Sequence, residues 1–287
     1  MIIDFHTHTF PEKISAKVIH KLALVSHSKP FTDGSVSGLL GSMKEADIDY
    51  SVSLPVMTNP EQVEKIHDTM FAEQEALFHQ GIISFGGMHP DYTNYKKELL
   101  RLKEHQVPGI KLHPAYQNID LDDIRMLRII EAASELGLIV LVHAGIDIGI
   151  PDHNYSSVSH ILKVLHQVQP EKLVLAHMGN WSCWDEVESD LAGAPVWFDT
   201  AFSLGPVVPN PEDSLMPIRS HNLSDEAFVR LCKKHGTERI LFGTDSPWQE
   251  QSDIVERLRA LPFSEEEREG ILGKNAASLL GLKSQIS

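Results

Sequence analysis

Cysteine is almost absent: the 287-residue chain has two, Cys183 and Cys232. Two isolated thiols build no disulfide framework and no thiolate metal site, so a reducing, cytoplasmic setting is expected. Positive charge is also scarce. Lys and Arg total 25 against 40 Asp and Glu, a formal net charge of −15, which argues against non-specific binding to nucleic acid or to an anionic membrane. No stretch approaches the roughly 20 apolar residues of a membrane span. The first residues lack a basic segment followed by an apolar one, so no secretion signal is expected. The chain carries no internal repeat, no low-complexity tract and no linker, and a single domain over 1–287 is the simplest expectation.

Histidine, in contrast, is abundant, at 16 residues. Most read as ordinary surface or helix residues, among them His20, His67, His79, His105 and His166. The first eight residues differ. Ile2, Ile3 and Phe5 give Met1–His8 strand character. Side chains alternate along a strand, which puts His6 and His8 on one face, roughly 7 Å apart.

Short apolar runs recur along the chain: 2–5, 50–56, 81–88, 109–113, 138–143, 172–177, 195–199 and 239–245. Runs such as Leu138–Val142 and Leu173–Ala176 are apolar almost without a break, as are strands buried on both faces of a parallel sheet. Helical periodicity lies between them. Val63, Ile66, Met70 and Leu77 share a stripe over Gln62–His79, Ile124, Leu127, Ile130 and Ala132 over Leu121–Leu136, and Val158, Ile161, Leu162 and Leu165 over Ser156–Val168. Gly137 and Gly236 stand where helices end, and Ser264 with Glu267 reads as a capping box opening C-terminal helices over about 264–283. Strands alternating with helices over about 250 residues predict an α/β fold of the (β/α)8 TIM-barrel kind. An open doubly wound sheet is the alternative. It usually has a Gly-rich first turn, and His-Thr-His-Thr-Phe-Pro stands there instead. Two connections are long, Thr9–Gly34 and Ala201–Asn222, the second rich in proline, and both read as lids or binding loops.

The strand ends carry the chemistry. Successive runs finish in His6 and His8, Lys111 and His113, His143, His177, Asp199 and Asp245. In a barrel the C-terminal strand ends converge on one face, where active sites lie. Imidazole and carboxylate suit a borderline metal such as Zn²⁺, and a catalytic site leaves one coordination position for water, whose pKa falls toward about 7. Asp245 is placed to bind metal, to contact that water, or to do both.

Several segments together resemble the amidohydrolase superfamily, most closely the branch that contains aminocarboxymuconate-semialdehyde decarboxylase. They are Asp4–His8, Gly109–Pro114, Val142–Gly145, Leu175–Gly179, Phe242–Pro247 and the tail Gly270–Ala276. The resemblance covers essentially the whole chain in the expected order. It implies His6, His8, His143 and Asp245 as ligands of one metal, with His177 beside it as acid/base or polarising group. Asp199 is read as orienting a histidine rather than touching metal. Lys111 has two readings: carboxylated and bridging a second metal that His177 also binds, or seating a substrate carboxylate. The mononuclear reading is favoured. His113 and His89 are pocket or buried neighbours rather than ligands, and Tyr116, Trp181 and Trp248 are candidate pocket walls. A homodimer is a family-level expectation.

Hydrolysis of a small-molecule amide, ester or lactone is the favoured reaction. The alternative is non-oxidative decarboxylation of an unsaturated or aromatic acid, which needs cations for carboxylates, arginine being the better bidentate partner. No arginine precedes Arg101, and only Arg219, in the long 201–222 connection, is placed to reach a substrate. A barrel keeping its ligands merely as a scaffold is the third and least favoured reading. Zn²⁺ is the expected metal, with Mn²⁺, Co²⁺ or Fe²⁺ accepted by the same ligand types.

Overall fold

The structure, a computed structural model, describes residues 1–212 and 222–282. Arg219 and the last residue of the expected 264–283 helical segment lie outside them. The strands, in chain order, are β1 Ile3–Thr7, β2 Tyr50–Ser53, β3 Ile82–Ser84, β4 Gly86–Gly87, β5 Gly109–Leu112, β6 Ile139–Val142, β7 Leu173–Leu175, β8 Trp197–Asp199 and β9 Ile240–Leu241. The chain forms two compact units, one of residues 1–53 and 199–287, the other of residues 54–198.

In the first unit β1 is buried along its whole length and pairs in parallel with β2, Ile3 opposite Tyr50 and Asp4 opposite Ser51. On its other side Phe5 N–H donates to Phe242 O at 2.8 Å, and Asp245 N–H to His6 O at 2.8 Å. Thr200 N–H continues the ladder to Leu241 O at 3.0 Å. Asp199, β9, β1 and β2 thus lie side by side, which brings residues almost 240 positions apart in sequence into one row. The Thr9–Gly34 stretch, expected to be a loop, contains the helix Ser15–Ser26. The capping box at Ser264–Glu267 is present and opens the helix Glu265–Glu269; Asn275–Leu280 follows. Between these two helices Gly273 packs so closely on β1 that a Cβ there would lie 2.4 Å from Met1 O. Only glycine fits that contact.

In the second unit β4, β5, β6, β7 and the first two residues of β8 form a parallel run, with Ile110 opposite Val140 and Val142 opposite Leu175. β5, β6 and β7 are buried at every position, as their unbroken apolar sequences require. The helices Gln62–Phe78, Tyr95–Glu104, Ile124–Glu135 and Val158–Gln167 alternate with these strands. Asp123 and Ser157 cap the last two, accepting from Arg125 N–H and His160 N–H. Two residues of the expected apolar stripes face outward: Ile124 is 56 % exposed and Leu162 39 %. Ile124 opens its helix and Leu162 is the fifth residue of its own, so at both places the buried stripe is narrower than the sequence pattern. The 81–88 run is interrupted at Phe85, which lies in neither β3 nor β4. No helix among the described residues is long and apolar enough to cross a membrane.

Candidate metal centre and histidine cluster

β1 delivers His6, and the next residue but one delivers His8. Their Nε2 atoms lie 3.2 Å apart. Asp245 Oδ1 is 3.3 Å from His6 Nε2 and 3.1 Å from His8 Nε2. The ligand atoms of His6, His8 and Asp245 all fall within 4.8 Å of one another. His6 is buried, while the His8 and Asp245 side chains keep 14 % and 13 % of their exposure, so the cluster opens on one side.

The tautomer of His6 follows from its other nitrogen. Nδ1 lies 2.8 Å from Asp199 Oδ2, and both side chains are almost fully buried. An ionised carboxylate only accepts, so His6 Nδ1 carries the proton and Nε2 presents a lone pair. That lone pair faces an imidazole nitrogen and a carboxylate oxygen. Acceptors held this close repel unless a cation or proton lies among them. Two imidazole nitrogens and a carboxylate suit a borderline divalent cation, and a carboxylate on the far nitrogen is the usual support of a metal-binding histidine. The residues therefore fit a metal ion.

Asp4, two residues before His6 and fully buried, underpins the cluster. Its Oδ1 accepts the amides of His6 at 3.1 Å and Thr244 at 3.0 Å. Its Oδ2 accepts the Thr244 hydroxyl at 2.5 Å and Gln251 Nε2 at 2.7 Å. Burial pushes the carboxyl up from 3.8 to about 6, against these four donors.

The second unit gathers its own cluster. Lys111 and His113 leave β5 with 1 % and 5 % exposure, His143 follows β6, and His177 lies two residues past β7. His177 Nε2 and His143 Nδ1 are 3.0 Å apart, so one of them carries a hydrogen that the other accepts. The His113 and His143 rings stack, with centroids 4.1 Å apart. Asp147 joins them: its Oδ2 lies 3.6 Å from His113 Nε2 and 3.8 Å from His143 Nε2. His113, His143 and Asp147 also bring one ligand atom each within 4.8 Å. Here, however, the tautomer argues the other way. His113 Nδ1 accepts the Tyr116 amide at 3.3 Å, so in neutral His113 the proton sits on Nε2 and no lone pair faces Asp147. His113 is therefore suited to donate a hydrogen bond rather than to ligate.

The loops are pinned. Ser156 Oγ donates to His143 O at 2.8 Å and accepts Gly145 N–H at 3.1 Å. Trp184 Nε1 donates to His177 O at 3.0 Å. Gly145, at φ +100°, packs so closely that a Cβ would fall 2.1 Å from Trp181 N. His177, Met178 and Asp245 hold left-handed backbone at φ 60°, 55° and 58°.

Of the remaining candidates, Tyr116 is half-buried with its ring 4.3 Å from His113. Trp181 is buried, and Trp248 is half-buried with its amide on Asp245 O. His89 is buried, and burial lowers its pKa; its Nδ1 accepts Asp91 N–H. His67, read as an ordinary helix residue, is wholly buried and paired with Glu98 at 2.7 Å. Asp4 and Asp147 escaped sequence reasoning as participants. Asp147 stands four residues after His143, but outside any strand or helix, so no periodicity points to it.

Residues 3–282 match the family model described as Amidohydrolase, and the chain belongs to this family. No curated protein matches the sequence. Solved structures do. An uncharacterised TIM-barrel protein from Bordetella bronchiseptica is 18 % identical with a TM-score of 0.73, covering 98 % of both chains. A putative 2-pyrone-4,6-dicarboxylic acid hydrolase from Pseudomonas putida is 18 % identical at 0.67, again with 98 % of both chains covered. A dihydroxybenzoic acid decarboxylase from Polaromonas sp., with bound manganese and an inhibitor, is 16 % identical at 0.69, covering 98 % of this chain and 97 % of the other. These likenesses show the fold, a TIM barrel. The protein is an enzyme of the amidohydrolase superfamily, a metal-dependent group that includes hydrolases and decarboxylases.

Proposed function

We propose that the protein is a metal-dependent hydrolase acting on a small-molecule amide, ester or lactone. The observation that carries this reading is the meeting of His6 Nε2, His8 Nε2 and Asp245 Oδ1, with Asp199 fixing the His6 tautomer. Those three residues would hold a divalent cation, Zn²⁺ or Mn²⁺, with His143 added to the set by the resemblance. Bound there, the cation supplies Lewis acidity toward a carbonyl oxygen and toward water. Asp245, beyond the oxygen it turns to the histidines, has a second carboxylate oxygen to take a proton. His177, paired through Nε2 with His143, is the candidate to return a proton to the leaving group. His113 offers Nε2–H to a substrate oxygen. Lys111 either seats a substrate carboxylate or, carboxylated, bridges a second ion.

Decarboxylation of an unsaturated or aromatic acid is the second reading, supported by the decarboxylase among the structural relatives. Hydrolysis is favoured because arginine is in short supply. Arg101, Arg125, Arg257 and Arg259 are committed to Asp68, Asp91 and Asp123, Asp225 and Glu256. A panel of lactones, amides and conjugated carboxylic acids, scored for product acid against released CO₂, separates the two. Acid production without CO₂, abolished by chelators and restored by metal, is the expected result. CO₂ release would replace hydrolysis by decarboxylation, and activity indifferent to chelators would end both.

A further inference from the structure

One carboxylate oxygen bonds to both of the segments that carry His6 and Asp245. Asp4 Oδ1 accepts the amide of His6 at 3.1 Å and the amide of Thr244, the residue before Asp245, at 3.0 Å. The first amide belongs to β1 and the second to the segment that follows β9, 240 positions from Asp4 in sequence, and one oxygen accepts from both. The same carboxylate is braced from behind. Oδ2 accepts the Thr244 hydroxyl and Gln251 Nε2, and Gln251 Nε2 also reaches Ser51 Oγ on β2 at 3.4 Å. Asp4, Ser51, Thr244 and Gln251 are all fully buried, so water does not substitute for any of these contacts. A third tie joins the same backbone segments directly, Asp245 N–H to His6 O at 2.8 Å. Flanking backbone bonds, Phe5 N–H to Phe242 O at 2.8 Å and His8 N–H to Ser246 O at 2.7 Å, hold the two segments side by side. Asp4 Oδ1 adds a side-chain tie at His6 itself and at the neighbour of Asp245, which limits how far the His6 ring and the Asp245 carboxylate shift relative to each other.

We propose that Asp4 is the positioning residue of the His6–His8–Asp245 cluster, holding the His6 imidazole and the Asp245 carboxylate at the separation a divalent cation needs. This rests on the reading of that cluster as a metal centre. Asp4 touches neither the ion nor the substrate. Its effect is on cation affinity, because ligands held in place lose less freedom when the ion arrives.

The experiment measures Mn²⁺ and Zn²⁺ affinity of the full chain by competition with a chromophoric chelator, alongside urea unfolding of each metal-free variant. Asp4→Ala should weaken both metals by about tenfold or more, the scale set by outer-shell partners of metal ligands. Asp4→Asn keeps an oxygen for the two amides and should bind within about threefold of wild type. Gln251→Met, which removes a donor to Oδ2 and leaves Oδ1 untouched, should also bind like wild type, whatever it does to the urea midpoint. If the alanine variant does not fold, Asp4→Ser carries the same test, because its shorter side chain cannot serve both amides. Wild-type affinity in Asp4→Ala or Asp4→Ser would overturn the proposal. So would an equal loss in Gln251→Met, which would mean general loosening instead of positioning. The metal reading fails separately: it falls if His8→Asn still binds one equivalent as tightly as wild type.

Discussion

Asp199→Asn is the sharpest perturbation the site offers, because either orientation of the new amide is wrong. In the wild type, Oδ2 accepts from His6 Nδ1 at 2.8 Å and Oδ1 accepts the Ala201 amide at 3.1 Å. Asparagine has one oxygen and one NH₂. With its oxygen toward Ala201, the NH₂ faces His6 Nδ1, which must then become the acceptor. The His6 proton moves to Nε2, and the lone pair that faces His8 and Asp245 is lost. With its oxygen toward His6, the NH₂ confronts the Ala201 N–H, and a buried donor is left unsatisfied, at about 1–3 kcal/mol. Asp199 is fully buried, so solvent offers no escape from the choice. Metal affinity should fall about 10- to 100-fold, roughly 1.4–2.7 kcal/mol. Chelator competition reads the affinity, and urea unfolding of the metal-free variant confirms that it is folded. A folded Asp199→Asn protein with wild-type affinity for both Zn²⁺ and Mn²⁺ would refute the tautomer argument.

Other outcomes follow from the same geometry. His177→Asn should abolish turnover while leaving metal content unchanged, as measured by elemental analysis; lost metal would make His177 a ligand. A metal stoichiometry near one, unaffected by removing bicarbonate during reconstitution, is expected, whereas dependence on bicarbonate would mean a carboxylated Lys111. Asp4 makes the fold pH-dependent. Its carboxyl is raised from 3.8 to about 6, so this group's contribution is fully present below about 3.8 and is lost as pH rises through about 6, at a total of about 3 kcal/mol. Urea unfolding of metal-free wild type against Asp4→Asn should show the wild type losing about 2 kcal/mol relative to the variant between pH 4.5 and 7.5. A gap that does not move with pH would mean that the four donors, and not burial, set this group.

What the sequence made legible follows from which interactions leave a pattern. β5, β6 and β7 are buried on both faces, so their apolar runs stand out. His6 and His8 share a face by strand alternation, and Asp245 follows the last apolar run. Their meeting could be read only through the barrel, because β1 and β9 are neighbours in space and ends of the chain in sequence. Asp147 was invisible for want of any periodic context, and Asp4 looked like one polar residue in a strand. The helix Ser15–Ser26 escaped because Ile14 at its N-cap makes no side-chain cap. Ile124 and Leu162 misled in the other direction: apolar spacing alone does not say how wide a buried stripe is.

The left-handed backbone at His177 and Asp245 governs which substitutions are informative. Asparagine and aspartate tolerate that region, and alanine resists it. An alanine at either position would remove a functional group and also unseat the bend that aims it, so a dead enzyme would be uninterpretable. Asparagine keeps the bend and removes only the chemistry. The same preference narrows what drift can try at these two places, since a newcomer must satisfy the peptide before it can be judged on its side chain.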